Sequence, residues 1–251
     1  MNVLDRLSFQ LYSARKFPPL DAQLAALAAL GYRNVEPYGA LLADHDALKS
    51  GLSRHQLRAP SSHVSLDRLL TDREGVARQA QELGIGLLIV PAVPPEHRPS
   101  DAEGWRRLGR SLAEIQEKLA PESLDLAWHN HDFEFRRLAD GSAPLDRMFE
   151  IAPKLLWEAD IGWLHVAGED PLFWLKKYRD RIKAVHIKDV APAGEKANED
   201  GWADIGDGVI DWKRIMPALE AADPDLLVLE HDNPADHESF ARRSRAAMAT
   251  W

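Results

Sequence analysis

The sequence predicts an α/β fold: a closed (β/α)8 barrel of parallel strands, a TIM barrel, in a single domain over residues 1–251. Three observations predict it. Short apolar runs alternate with amphipathic helical stretches, and the pair recurs eight times. Strict alternation implies a parallel sheet with helical crossovers. The length of 251 residues matches the usual size of such a barrel, about 250. Eight units in so short a chain favour closure over an open sheet. The competing open doubly wound sheet is weakened in its dinucleotide-binding form, because no Gly-rich fingerprint follows the first strand.

The elements follow in order. Leu7 to Ala14 reads as the first strand. Pro18, Pro19 and Asp21 open an Ala- and Leu-rich helix ending at Gly31. Asn34 to Tyr38 is the second strand, and Asp44 to Gln56 a helix with an acidic cap. Ala59 to Leu66 is the third strand, and Asp72 to Leu83 a helix closed by Gly84. Gly86 to Val93 is continuously apolar, as a parallel strand buried on both faces should be. Ser100 begins the longest helix, to about Leu119. Leu124 to Phe135 is the fifth strand and its exit loop, and Pro144 to Ile151 a short helix. Leu155 to Ile161 is the sixth strand, and Pro171 to Asp180 a helix with Phe173, Trp174 and Leu175 on one face. Ile182 to Val190 is the seventh strand. A polar loop from Ala191 to Asp211 precedes the helix Trp212 to Ala221. Leu226 to His231 is the last strand and Asp236 to Ala249 the last helix.

Composition narrows the function. Apolar residues make up 45% and charged residues 28% of the chain, the profile of a globular protein. There is no cysteine, which excludes a thiolate nucleophile or thiolate metal site and fits a reducing compartment. The net charge of −9 disfavours nucleic acid, whose binding rests on phosphate neutralisation. No apolar run approaches a membrane span, and the N-terminus lacks the apolar stretch of a signal peptide. The expected location is cytoplasmic.

Barrel active sites lie at the C-terminal ends of the strands, and there the ionisable residues gather: Glu36 and Tyr38, then Ser62 and His63, His129 to Asp132, Glu158 and Asp160, His186 to Asp189, and Glu230 to Asp232. Glu158 and Asp160 share a strand face. His186 interrupts the apolar frame Ala184-Val185-Ile187, and Glu230 ends the run Leu227-Val228-Leu229. Lone carboxylates and imidazoles are costly inside a barrel, and one divalent cation offsets that cost for several at once. Such a mixed O/N set suits Mn, Mg, Zn or Co. A hydrogen-bonded polar cluster is the alternative.

Several segments then resemble the sugar phosphate isomerase/epimerase family of xylose isomerase-like TIM barrels, a group related to the endonuclease IV proteins. They are Phe9-Gln10-Leu11-Tyr12-Ser13, His129-Asn130-His131-Asp132-Phe133-Glu134-Phe135, Glu158-Ala159-Asp160-Ile161-Gly162-Trp163 with Ala167-Gly168-Glu169-Asp170-Pro171, Val185-His186-Ile187-Lys188-Asp189, and Ile205-Gly206-Asp207-Gly208-Val209-Ile210-Asp211-Trp212. The resemblance implies one divalent metal held by Glu, Asp, His and Glu from strands five to eight. Asp160, His186 and Glu230 match the last three, while His129 stands where the fifth-strand Glu is expected. In the family's epimerases, two metal-bound glutamates act as acid and base on opposite sides of the substrate. Here His129 is able to ligate or take the proton, and Glu158 is able to supply the missing carboxylate. Trp163 replaces a second His found in many relatives, which argues against a multi-zinc nuclease.

The resemblance implies a sugar or polyol substrate. The leading reading is an isomerase or epimerase working through an enediolate, with Glu230 or His129 as base and Lys188 holding an oxyanion. The alternative is a dehydratase or lyase acting on a keto-sugar or keto-inositol. A nuclease and a non-catalytic sugar-binding barrel rank lower. Lys188 otherwise pairs with Glu158 or Asp189, and Glu36 reaches the pocket or pairs with Arg15 or Lys16. His63, His131, Glu134 and Trp163 are candidate substrate contacts, and Trp202 a further stacking platform. Five histidines, at 45, 55, 97, 165 and 237, carry no assigned role. A homo-oligomer is allowed, with no interface legible.

Overall fold

The computed structural model describes residues 3–251. Its central sheet has eight parallel strands, β1 (Leu7–Gln10), β2 (Asn34–Glu36), β3 (Ser61–His63), β4 (Leu87–Val90), β5 (Asp125–His129), β6 (Leu156–Asp160), β7 (Ile182–Ile187) and β10 (Leu226–Leu229). They run in the order β2-β1-β10-β7-β6-β5-β4-β3. The ends β2 and β3 are not joined by a regular ladder. They meet through Arg58, whose carbonyl accepts from Val35 N and whose N–H donates to Arg33 O, and through His63 N donating to Pro37 O, each at 2.9 Å. The sheet is thus a nearly closed barrel. The strands β8 (Asp189–Val190) and β9 (Trp202–Ala203) form a separate antiparallel pair.

Eight helices cover the barrel as expected: α1 (Leu20–Ala29), α3 (His45–Arg54), α5 (Arg73–Leu83), α6 (Ala102–Leu119), α7 (Pro144–Ile151), α9 (Pro171–Lys177), α10 (Trp212–Ala222) and α11 (His237–Met248). Three more are short turns beyond strand ends, α2 (Gly39–Ala43), α4 (Leu66–Thr71) and α8 (Ile161–Val166). Carboxylate caps explain many starts, since Asp72, Asp101, Asp160, Asp170, Asp211 and Asp236 each accept a backbone N–H of the first turn. Asp44, expected to cap α3, makes no such bond. Gly84 closes α5 in the left-handed conformation at φ 72°, as its position suggested.

Strands are shorter than their apolar runs. The first ends at Gln10, whose side chain accepts from Tyr12 N and turns Leu11–Ala14 into a 3-10 helix. The third ends at His63, because Ser65 caps α4. The fifth ends at His129, and Phe133–Phe135 is a 3-10 turn. The seventh ends at Ile187, and part of the expected Ala191–Asp211 loop is β9.

Alternation along the strands separates two cores. Leu88, Val90, Leu126, Trp128, Trp157, Val185, Ile187, Leu227 and Leu229 pack outward under the helices. Inside the barrel, Leu87, Ile89, Ala127, Ala184, Leu226 and Val228 form a small apolar plug. The inward positions nearer the C-terminal rim are polar and buried: Gln10, Glu36, Ser61, His129, Glu158, Asp160, His186 and Lys188.

Candidate metal centre

The strand ladders bring the rim residues together. Asp160 lies in register with His186, His129 with Glu158, and Gln10 with Glu36. Asn130 ties β5 to β6: its Oδ1 accepts from Trp157 Nε1 (2.9 Å) and Asp160 N (3.0 Å), and its Nδ2 donates to Asp160 O (3.2 Å). Asp160 Oδ1 caps α8 by accepting from Trp163 N at 2.8 Å, while the buried Oδ2 has no hydrogen-bond partner.

Two overlapping groups of possible ligands result. His129, Asp160, His186 and Glu230 form the upper one, with one donor atom of each within 4.8 Å of the others. His129 Nε2 and His186 Nδ1 each lie 3.8 Å from Asp160 Oδ2, and His186 Nδ1 lies 2.9 Å from Glu230 Oε2. The lower group is His63, His129, Glu158 and His186. Glu158 Oε2 accepts from His63 Nε2 (2.7 Å) and His129 Nδ1 (3.1 Å). Glu36 Oε1 accepts from His186 Nε2 (2.9 Å) and Gln10 Nε2 (2.8 Å), and its Oε2 from Ser61 Oγ.

Charge sorts the groups. Burial alone would raise Glu230, but Lys188 and His186 outweigh it and hold the carboxylate well below its usual range. Burial opposes a charged His63, yet Glu158 and Glu36 lift it to about 9. His129 is driven well down by burial and by His186. Burial pushes Asp160 up to about 7 against Lys188 and His186. A buried carboxylate oxygen without a hydrogen bond, 3.8 Å from two imidazoles and from the Lys188 ammonium and beside a second carboxylate, fits a divalent cation.

A cavity of about 680 Å³ opens above this centre, lined by Tyr12, Tyr38, His63, Arg98, His129, His131, Trp163, Lys188, Glu230 and Asp232, among others. A larger cleft of about 890 Å³ at the opposite end of the strands holds surface pairs such as Lys183–Asp225 (2.8 Å) and Lys49–Glu82 (3.0 Å). The buried donor groups lie under the smaller cavity, which is therefore the candidate site.

Most sequence candidates converge here, with corrections. Lys188 Nζ pairs with Glu230 (3.1 Å) and Asp232 (2.7 Å), rather than with Glu158 or Asp189. It also sits over the Trp163 and Trp202 rings at 5.0 and 4.3 Å. Gly162 is required at this crossing, since a Cβ there would lie 2.9 Å from Lys188 O and 3.0 Å from its side chain. Glu36 pairs with neither Arg15 nor Lys16 but is buried below the pocket floor. Glu134 is not on the pocket wall: it is fully buried, accepting from Trp128 Nε1 (3.1 Å) and His131 N (2.8 Å). Trp202 packs behind Trp163 at 4.8 Å instead of facing the cavity. Missed residues include Gln10 and Ser61, whose signal was a polar side chain at an inward strand position. Arg98, in the loop after β4, carried no signal; its guanidinium stacks on Phe133 at 3.6 Å.

Known proteins share this architecture. An inosose dehydratase of Lacticaseibacillus casei is 28% identical over 154 residues, 54% of this chain and 50% of the relative. The chain thus spans about half the length of that curated relative. A sugar phosphate isomerase/epimerase structure from Parabacteroides distasonis superposes with a TM-score of 0.78 at 19% identity, covering 97% of this chain and 93% of the other. The IOLI protein, solved with a bound zinc atom, superposes at 0.77 with 17% identity and 98% coverage of both chains. The family model described as xylose isomerase-like TIM barrel matches residues 24–250. Fold, rim-centred donor set and family match agree, and the chain belongs to the xylose isomerase-like TIM barrel family.

Proposed function

We propose that the protein is a divalent-metal-dependent enzyme that removes water from a keto-sugar or keto-inositol. The buried quartet under the pocket, with Asp160 Oδ2 lacking a hydrogen bond, carries this reading. The dehydratase named among its curated relatives supports dehydration over the isomerase or epimerase reading that the sequence favoured. His129, Asp160, His186 and Glu230 would hold the cation. When bound, it would supply Lewis acidity toward a substrate carbonyl.

The chain's own groups divide the proton work. Glu230 is ionised, borders the cavity and is the base for the α-proton. His63 and Lys188 border the same cavity as cations. Either is able to protonate the departing β-hydroxyl, so that the C–H pair becomes the new double bond and water leaves. Trp163 and His131, with ring centroids 5.2 Å apart and planes tilted by 41°, supply an aromatic wall for the apolar face of the ring. Epimerisation would need a second base opposite Glu230. The position of the expected fifth-strand glutamate holds His129, whose Nδ1 is engaged by Glu158, which favours elimination over the two-glutamate form of that reaction.

The test is NMR in D2O with Mn, Mg, Zn or Co over a panel of keto-inositols and keto-sugars. Loss of water from one of them is the expected result. Deuterium uptake with inversion and no elimination would restore the epimerase reading. Glu230→Gln should reduce turnover by roughly 10²- to 10⁴-fold with the fold intact. Undiminished turnover would remove Glu230 from the mechanism.

A further inference from the structure

The upper and lower groups share two imidazoles, and each imidazole turns one nitrogen to each group. His129 directs Nδ1 down to Glu158 Oε2 at 3.1 Å and Nε2 up toward Asp160 Oδ2 at 3.8 Å, beyond hydrogen-bond reach. His186 directs Nε2 down to Glu36 Oε1 at 2.9 Å and to Glu158 Oε2 at 3.2 Å, and Nδ1 up toward Glu230 and Asp160. An ionised carboxylate only accepts hydrogen bonds. A ring nitrogen at these separations from one must therefore carry the proton; His186 Nδ1, 2.9 Å from Glu230 Oε2, carries one too in the cation-free site, and the cation would take that proton's place.

We infer that Glu158 and Glu36 are positioning residues that hold protons on His129 Nδ1 and His186 Nε2, and so commit His129 Nε2 and His186 Nδ1 to the cation. The inference rests on the cation proposed above and names which atoms face it. It also selects His129 rather than Glu158 as the fourth ligand. The lower carboxylates are suited to holding rather than ligating. Both oxygens of Glu36 are taken, by Gln10 and His186 on one side and Ser61 on the other. Glu158 is pinned by His63 at 2.7 Å as well as by His129. Carboxylates in this relation to a ligating imidazole fix its tautomer, fix its ring orientation and raise its basicity. The competing arrangement is a second cation in the lower group, for which the unpartnered Glu158 Oε1 is the argument. It would require His129 Nδ1 and His186 Nε2 to be unprotonated.

The two arrangements are distinguished by long-range ¹H–¹⁵N NMR of histidine-labelled protein with one equivalent of Zn²⁺. The expected result is His129 protonated at Nδ1 and His186 at Nε2. The opposite nitrogens protonated, or a ring without any N–H, would overturn the inference. Titration should saturate at one zinc per chain, and a second tight equivalent would overturn it too. Glu158→Gln and Glu36→Gln should each weaken zinc binding about 10- to 100-fold. Unchanged affinity in both folded variants counts against the inference. Should a variant fail to fold, by circular dichroism, the wild-type tautomers still decide. Absence of any zinc binding by the wild type overturns the metal centre itself. One zinc bound through the other nitrogens overturns only the positioning role.

Discussion

Asp160 serves two purposes with two oxygens. Oδ1 starts a helix and Oδ2 is left facing the imidazoles, so local folding of α8 orients the carboxylate before any ligand arrives. Glu134 shows a different balance. Its two accepted hydrogen bonds favour the anion, but burial prevails and raises it to about 8. A raised carboxyl pKa means the folded state keeps a proton the unfolded chain releases above about 4.5. Its stabilising contribution is therefore complete below that pH and is lost as pH rises toward 8. Glu134→Gln should lower stability by about 1–3 kcal/mol, because its amide nitrogen meets an N–H donor. The deficit relative to wild type should shrink between pH 5 and 8 in urea titrations. A deficit constant with pH would place the proton elsewhere. From the sequence, Asp160, His186 and Glu230 were legible because each breaks an apolar strand at its exit. Glu134 was misread because an exit-loop position does not reveal which way a side chain turns.

At the level of elements, the order of strands and covering helices was legible, since period and length separate them. The ends were not. Gln10 and Ser65 terminate strands by capping the next turn, which periodicity does not register. The loop after β7 shows the same lesson. Asp189 is buried there and accepts from Val190 N (2.9 Å), Ile210 N (3.2 Å), Gly206 N (2.9 Å) and Trp212 Nε1 (2.9 Å). Gly208 must lack a side chain, since its Cβ would lie within 2.1 Å of Asp189 Oδ1. One carboxylate thus organises a segment that reads as irregular. Asp189→Asn should cost roughly 3 kcal/mol, by leaving donors facing an amide. It should also speed proteolysis within residues 191–211. Wild-type cleavage rates would show that the loop holds its shape without that charge.

For the whole molecule, the barrel was legible from eight repeated units and much of its polar interior from the ionisable residues at strand exits, whereas the inward Gln10 and Ser61 were not. Among the described residues, no helix is long and apolar enough to cross a membrane. Cation binding at the rim would add to the stability of the whole barrel, because the proposed ligands sit at the ends of four separate strands. Zn²⁺ at a hundred times its dissociation constant should stabilise the chelated protein by about 2.7 kcal/mol. Equal melting temperatures with and without Zn²⁺ would contradict a folded-state cation site. The seam between β2 and β3 has a further consequence. With Arg58 and a single His63 N–Pro37 O bond in place of a ladder, its main-chain closure is sparse, and the Ser61 and His63 side chains reach across it to Glu36 as well. Deuterium labelling of amides should enter this stretch earlier than the opposite wall, at β6 and β7. The residues that orient the imidazoles would then also keep the cylinder shut, so weakening them would loosen the wall and the chemistry together.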